Sequence, residues 1–324
     1  MSIGKKIFIA LSLMSLFFLS SCEDKNPLDV DVSKIDAKVK FIRFDREFYG
    51  NSPEKLPEIK QKYAYLFPKR TPDSIWVEKM QDSLFLELKK QVDSVFPDMK
   101  KYEEPVADLY KHIKYYNPDF QDPPILTLYS DWNYLRRAVY LDTLEFLTLD
   151  NFLGANNVMY KGIPQYIRHN LVPERIPVEI ANSYIETQVK PPKAKNLLSK
   201  MVNAGKKLYL LDAFLPNTPD SLKIGYTTKK LKWAQANEEY IWQYFIEEKL
   251  LFNYAKSLDM RFMDLAPYSK FYTEADSESP GRIGQFIGWQ IVRSFMQKNK
   301  VSLQKLLQMP EEEIFKQSKY KPKK

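Results

Sequence analysis

The sequence predicts an α+β fold, predominantly helical, with a small central β-sheet. Three observations point there. Apolar residues recur every three to four positions over most of the chain. Between Ile125 and Leu149 that period shortens to the alternation and short apolar runs of strands. Only nine glycines occur in 324 residues, which argues against a repetitive β architecture and against a glycine-rich phosphate loop. No internal repeat of about 20–50 residues is present.

The elements follow in order. In AKVKFIRFDREF (37–48), Val39 and Phe41 alternate before a second apolar set at Ile42 and Phe44, a strand running into a turn. Asn51-Ser52-Pro53-Glu54 is a helix start. From Pro72 onward, Trp76, Met80, Leu84, Leu88 and Val92 recur every fourth residue and predict one helix. Glu104–Tyr116 predicts another, with Val106, Leu109, Tyr110 and Ile113 facing inward and Pro118 ending it. Ile125–Tyr129, Ala138–Leu141 and Phe146–Leu149 read as strands, with a tight turn at Asp142-Thr143. Beyond Gly154, helices are expected over 164–170, 177–189, 193–210, 237–257, 280–299 and 310–318.

The start of the chain carries a different signal. Lys5 and Lys6 precede IFIALSLMSLFFL (7–19), too short a run to span a bilayer, and small residues follow. Leu19-Ser20-Ser21-Cys22 resembles the lipobox of bacterial lipoproteins. That resemblance implies cleavage before Cys22 and acylation of Cys22, the single cysteine of the chain, by palmitate-class fatty acids. Two or more acyl chains anchor stably, where one does not. The expected organisation is a signal peptide over 1–21, a lipidated cysteine and tether over 22–36, and one helical α+β domain over 37–324.

The formal charge is +8, with Lys and Arg interspersed among Asp and Glu and one basic run at KQSKYKPKK (316–324). The basic run reads as a solvated tail, with contact to acidic lipid or lipopolysaccharide phosphate as the alternative. The membrane partner is expected through the lipid on Cys22, and a lipid-anchored exported chain is not expected to bind nucleic acid. No HExxH, GxSxG, P-loop or CxxC motif occurs. The two histidines, His112 and His169, read as structural or surface residues, and their separation disfavours a zinc site. No cofactor or metal is expected. Glu248, in EEYIWQYFIEEKLLF, is a carboxylate among apolar neighbours; the alternatives are a raised-pKa acid or a group solvated or paired with Lys249. Gly281, Gly284 and Gly288 share one helical face in SPGRIGQFIGWQ, which suits close helix packing or approach of a ligand in a groove.

KFIRFDREF (40–48), LTLDNFLGANNVMYKGIPQYIR (147–168), ANEEYIWQYFIEEKLLF (236–252) and PGRIGQFIGWQIVRSFM (280–296), with the lipobox, together resemble the GldB family of gliding-motility lipoproteins of Bacteroidota. The likeness covers nearly the whole chain. It implies a membrane-anchored, non-catalytic accessory factor for gliding and the associated type IX secretion machinery. The implied location faces the periplasm, at the outer membrane in preference to the inner. A more distant resemblance is to putative zinc peptidases, which would make the fold a degenerate zincin. The histidine pair is missing from 176–188, and only Glu248 falls where a later glutamate would lie, a vestigial-site candidate. The competing readings are a diverged envelope peptidase or hydrolase, and a lipoprotein that binds sugar or lipid through its aromatic side chains.

Overall fold

The computed structural model describes residues 28–323, and of Ala275 the backbone alone. The signal segment and Cys22 lie outside the described residues. The chain divides into two compact units, Met1–Asp31 and Val32–Lys324. In the first, Val30 N–H donates to the Leu28 carbonyl at 3.1 Å. The second carries every helix and strand described, and the structure is 57 % helical.

The sheet has four strands in the order β1-β2-β4-β3. Strand β1 (Phe41–Ile42) runs parallel to β2 (Ile125–Leu128), and β2 runs parallel to β4 (Leu144–Thr148). Strand β3 (Ala138–Leu141) pairs antiparallel with β4, placing Leu141 opposite Leu144 across the turn at Asp142-Thr143. Central β2 is buried along Ile125–Thr127, as a strand covered on both faces must be, whereas edge strand β3 alternates between half-buried and exposed residues. The strand expected over 37–48 shrinks to two residues. The chain then turns into α1 (Phe44–Tyr49), where Phe44 and Phe48 stack one helical turn apart at 5.5 Å. Buried Asp45 drives that turn: it takes two hydrogen bonds from Arg43 and one from Thr127 Oγ1 on β2.

A short helical turn at Pro53–Lys55 leads into α2 (Leu56–Lys62). The single helix expected from Trp76 to Val92 is two helices, α3 (Asp73–Gln81) and α4 (Ser83–Val95). Asp82 separates them in an extended conformation, and its carboxylate accepts from Leu84 N at 2.7 Å and Phe85 N at 3.2 Å. An N-cap formed by its side chain replaces helix continuity there, and Leu84, read as an inward position, is exposed. Helix α5 (Lys100–Tyr116) follows, then β2–β4, then the one-turn α6 (Gln165–Arg168) and α7 (Ile176–Gln188).

The centre of the molecule is α8 (Leu197–Phe214), buried on nearly all sides, as a helix without a polar face must be. It starts at Asn196, whose side chain accepts from Ser199 N at 2.9 Å, and runs four residues past its expected end. Short helices α9 (Asp220–Ile224) and α10 (Thr228–Ala236) precede α11 (Glu238–Glu247). The helix expected to reach 257 stops ten residues earlier. Lys249 adopts a left-handed φ of 53°. Leu250 N–H closes back on the Phe245 carbonyl and Lys249 N–H on that of Ile246. That is a Schellman ending with lysine in the glycine position, so no glycine announces it in the sequence. Helices α12 (Ile283–Lys298), α13 (Leu303–Gln308) and α14 (Glu311–Ser318) complete the bundle. Helix α12 packs along α8, α14 packs on both, and α7 joins α8 to the sheet.

Candidate functional site

Two features meet at helix α12. The first is its seam with α8. A Cβ on Gly288 would overlap the Met201 carbonyl, and one on Gly205 would overlap the Gly288 carbonyl. The backbones touch here because neither residue has a side chain. Gly284 is packed more loosely: its Cβ would stand 2.7 Å from Met263 Sδ and 3.2 Å from Met201 Cγ. Gly205 escaped the sequence reading because it stands alone in MVNAGKK, outside the three-glycine register.

Below this seam a polar network ties α8, α9 and α12 together. Buried Asp212 accepts from Trp289 Nε1 at 2.8 Å, from Arg293 Nε and Nη2 at 2.8 Å each, and from Lys223 Nζ at 3.0 Å. Arg293 also makes a two-nitrogen contact to Asp220 at 2.8 and 2.9 Å and lies 3.7 Å over the Trp289 ring. Every partner in this network is matched.

The second feature is a cavity of about 370 Å³ at the N-terminus of α12. Its polar lining includes His169, Tyr226, Lys230 and Arg282; Leu265, Ala266, Pro267 and Pro280 give apolar walls. Gly281 forms part of the lip, where a Cβ would strike the Ala266 backbone. The sequence places the helix start at Ser279-Pro280, but the helix begins three residues later. Arg282 intervenes with a left-handed φ of 61°, and Ile283 N–H is capped by Ser269 Oγ, from the preceding loop, at 3.2 Å. A non-glycine residue in that conformation is strained by about 1–3 kcal/mol, which the surroundings must hold.

Those surroundings are rich in cations. On α7, Glu179 Oε1 accepts from Arg175 Nε at 2.9 Å, from Arg175 Nη2 at 2.5 Å and from Arg137 Nη1 at 2.9 Å. Burial alone would raise the Glu179 pKa, but the two guanidinium groups outweigh it and hold the carboxylate at about 2. Arg282 lies in the same field without an ion-pair partner among the described residues. Burial lowers its pKa and the nearby charges of Arg175 and Arg137 lower it further, against the opposing fields of Tyr226 and Glu179. Its Nη2 donates to the Ile224 carbonyl at 2.9 Å, whereas its Nε, shielded from solvent, finds no acceptor. The Tyr226 side chain is 7 % exposed, and its hydroxyl has no partner either.

Gly225, at a φ of 72°, joins the two groups of residues. Its carbonyl receives His169 Nε2 at 2.8 Å, Asn170 Nδ2 at 3.1 Å and Arg282 Nη2 at 3.5 Å. His169 therefore has the structural role expected of it, with its ring also on the cavity wall; burial lowers its pKa, favouring neutral imidazole. Lys230 spends its ammonium on the carbonyls of Ser277, Glu278 and Ser279 at 2.9, 3.0 and 2.7 Å. Sequence reading missed Arg282, Tyr226 and Lys230 as a set because they come from three separate segments. The one local signal was the i,i+4 pair Arg175–Glu179.

The other singled-out residues lie elsewhere. Glu248 is exposed just past the end of α11, forms no ion pair among the described residues and does not line the cavity. His112 is buried, with Nδ1 donating to the Asp108 carbonyl at 2.8 Å. Among the described residues, no cluster of three or more His, Cys, Asp or Glu side chains could hold a metal ion. No described helix is long and apolar enough to cross a membrane.

No curated protein and no solved structure matches this chain. A family model for the gliding motility protein GldB does match, over residues 25–322. The match takes in the sheet, the α8–α12 seam and the cavity, and the chain belongs to the GldB family of gliding motility lipoproteins.

Proposed function

We propose that this protein is a non-catalytic accessory factor of the gliding machinery and of the type IX secretion system coupled to it. It is held on the periplasmic face of the outer membrane by acyl chains on Cys22. The observation that carries this reading is the family match beginning at residue 25, three residues after the lipobox cysteine, and running to residue 322. The folded unit then works as a tethered body that docks on machinery proteins, with no nucleic acid involved. Gly281, Gly284 and Gly288 serve the close packing that keeps this body rigid, and Glu248 is a solvated surface carboxylate.

The test is a clean deletion scored for spreading and for secretion. It is complemented with the wild-type gene and, separately, with Cys22→Ala. Loss of both activities, restored by wild type and not by Cys22→Ala, is the expected result. Normal spreading and secretion in the deletion strain would sink the reading. Full rescue by Cys22→Ala would remove the anchor from it.

A further inference from the structure

We propose that the cavity at the N-terminus of α12 is a binding site for a carboxylate carried on an apolar or aromatic body, with Arg282 as its anchor and Tyr226 as its second donor. This goes beyond the motility role and stands or falls separately from it.

The first argument is charge. Arg137, Arg175 and Arg282 share one neighbourhood, and Glu179 is spent on the first two. A buried guanidinium without an anion is costly, and proteins pair such groups or leave them for a ligand. Along the same helix, Arg293 has two carboxylates. The chain thus has carboxylates to give and supplies none to Arg282.

The second argument is the orphaned hydrogen-bonding groups. Tyr226 Oη and Arg282 Nε are buried without partners, and among the described residues Nη1 of Arg282 donates no hydrogen bond. Buried polar groups are nearly always matched, so orphaned atoms on two residues that line one cavity mark a missing partner. The lysine beside them is not a further free donor, because three carbonyls already take its ammonium group. One guanidinium and one hydroxyl suit the two oxygens of a carboxylate. A phosphate, with three terminal oxygens and a second charge, would leave acceptors unmatched.

The third argument is shape. The walls offered by Leu265, Ala266, Pro267 and Pro280 are apolar. A volume near 370 Å³ lies at the small end of ligand pockets, which run to roughly 300–1,000 Å³. It suits a single residue-sized acid rather than an extended glycan. Arg282 is strained backbone at the same spot, and strain of this kind concentrates at ligand clamps. Two sources share this chemistry: the C-terminal residue of a peptide, and a free small acid.

The experiment is calorimetric titration of the full chain in detergent. The probes are N-acetyl-phenylalanine, its primary amide, a hexapeptide ending in phenylalanine as free acid and as amide, and inorganic phosphate. The acids are expected to bind and the amides to bind at least about tenfold more weakly. Arg282→Gln should weaken acid binding by about tenfold or more, and Tyr226→Phe by about threefold to tenfold, with circular dichroism unchanged. Tighter binding of the peptide acid assigns the ligand to a peptide terminus; tighter binding of the acetylated residue assigns it to a free acid. Equal binding of acids and amides, an unaffected Arg282→Gln, phosphate binding in place of the acids, or no binding at millimolar concentration would each overturn the proposal. If Arg282→Gln does not fold, the acid-to-amide ratio and Tyr226→Phe still decide it.

Discussion

Arg293 and Arg282 sit on and just before the same helix, and the fold treats them in opposite ways. Arg293 is half-buried, holds both Asp212 and Asp220 and lies on the face of Trp289. Burial works to lower its pKa, but the hydrogen bonds it donates to the two carboxylates overcome that and raise it. Arg282 keeps two backbone carbonyls and no carboxylate, and its pKa is lowered. One end of the helix is finished within the chain, and the other has donors left over. A matched network of this kind locks elements together, whereas an unmatched one is where the molecule has something to offer a partner.

The sharpest way to break the finished end is Asp212→Ala. It strands Lys223 and the Trp289 N–H at once and leaves Arg293 with Asp220 alone, in a site where Asp212 and Lys223 are buried. Removing one partner of a buried charged pair costs about 3–5 kcal/mol. Thermal unfolding of Asp212→Ala should show the largest loss among these variants, and a shift of only a degree or two would mean that the network is not structural. Gly288→Ala attacks the seam instead. Its new methyl overlaps the Met201 carbonyl, so the backbones of α8 and α12 must separate. Overpacking costs about 1–3 kcal/mol, occasionally more. Gly284→Ala meets a methionine side chain that can swing aside and the Phe262 carbonyl at 3.0 Å, a far looser approach than the Met201 carbonyl makes to Gly288, and should cost less; equal losses at the two positions would contradict the asymmetry of the seam.

How much of this was legible in the sequence follows from what each element depends on. The helix of α8 and the β3–β4 hairpin are set by local pattern, and local pattern predicts them. The expected three-glycine face keeps only Gly284 and Gly288 on α12, because Gly281 lies before the helix begins and packs on the Ala266 backbone. The break at Asp82 and the stop at Lys249 depend on one side-chain cap and one left-handed lysine, which no periodicity encodes. The cap of α12 is supplied by Ser269, fourteen residues upstream, so Ser279-Pro280 looked like the start and was not. The cavity was the least legible part. Its residues come from α6, the α9–α10 turn and the loop before α12, and the unmatched donors of Tyr226 and Arg282 exist only after folding.

A third region sets a different kind of mismatch against these two. Glu145 on β4 is buried in the sheet, and burial pushes its pKa up to about 8. The hydrogen bonds from Ser183 and Tyr110 work to lower it, and burial outweighs them. Ser183 Oγ lies 2.7 Å from Glu145 Oε1 and 2.8 Å from the Ile180 carbonyl, so its single proton serves only one of these acceptors at a time. The folded state therefore keeps a proton that the unfolded chain releases near its ordinary pKa of 4.5. Stability should fall as pH rises through this window, by at most about 1.4 kcal/mol per pH unit from this group. His169 contributes with the opposite sign, but only below its unfolded pKa near 6.5, because its folded pKa is lowered. Between pH 6.5 and 8 the decline belongs to Glu145, and Glu145→Gln should flatten it. A mutant whose melting temperature falls with pH as steeply as wild type would show that the carboxyl is ionised in the fold.

The smallest expected change tests the opening comparison most directly. Arg282→Gln removes a half-buried charge that has no ion-pair partner among the described residues, along with one good hydrogen bond to the Ile224 carbonyl at 2.9 Å. The desolvation relieved and the bond lost oppose each other, so stability should move by less than about 1 kcal/mol in either direction. Arg293→Gln, the same chemical change some three turns along the helix, leaves Asp212 and Asp220 facing each other without their shared cation and should cost several-fold more. The pair needs no ligand and no assay of motility, only two melting curves. If both arginines prove equally costly to remove, Arg282 has a partner inside the fold and the cavity holds no spare charge. If only Arg293 is costly, the protein carries at the mouth of α12 a guanidinium that its own stability does not require, as a site kept for something outside the chain should.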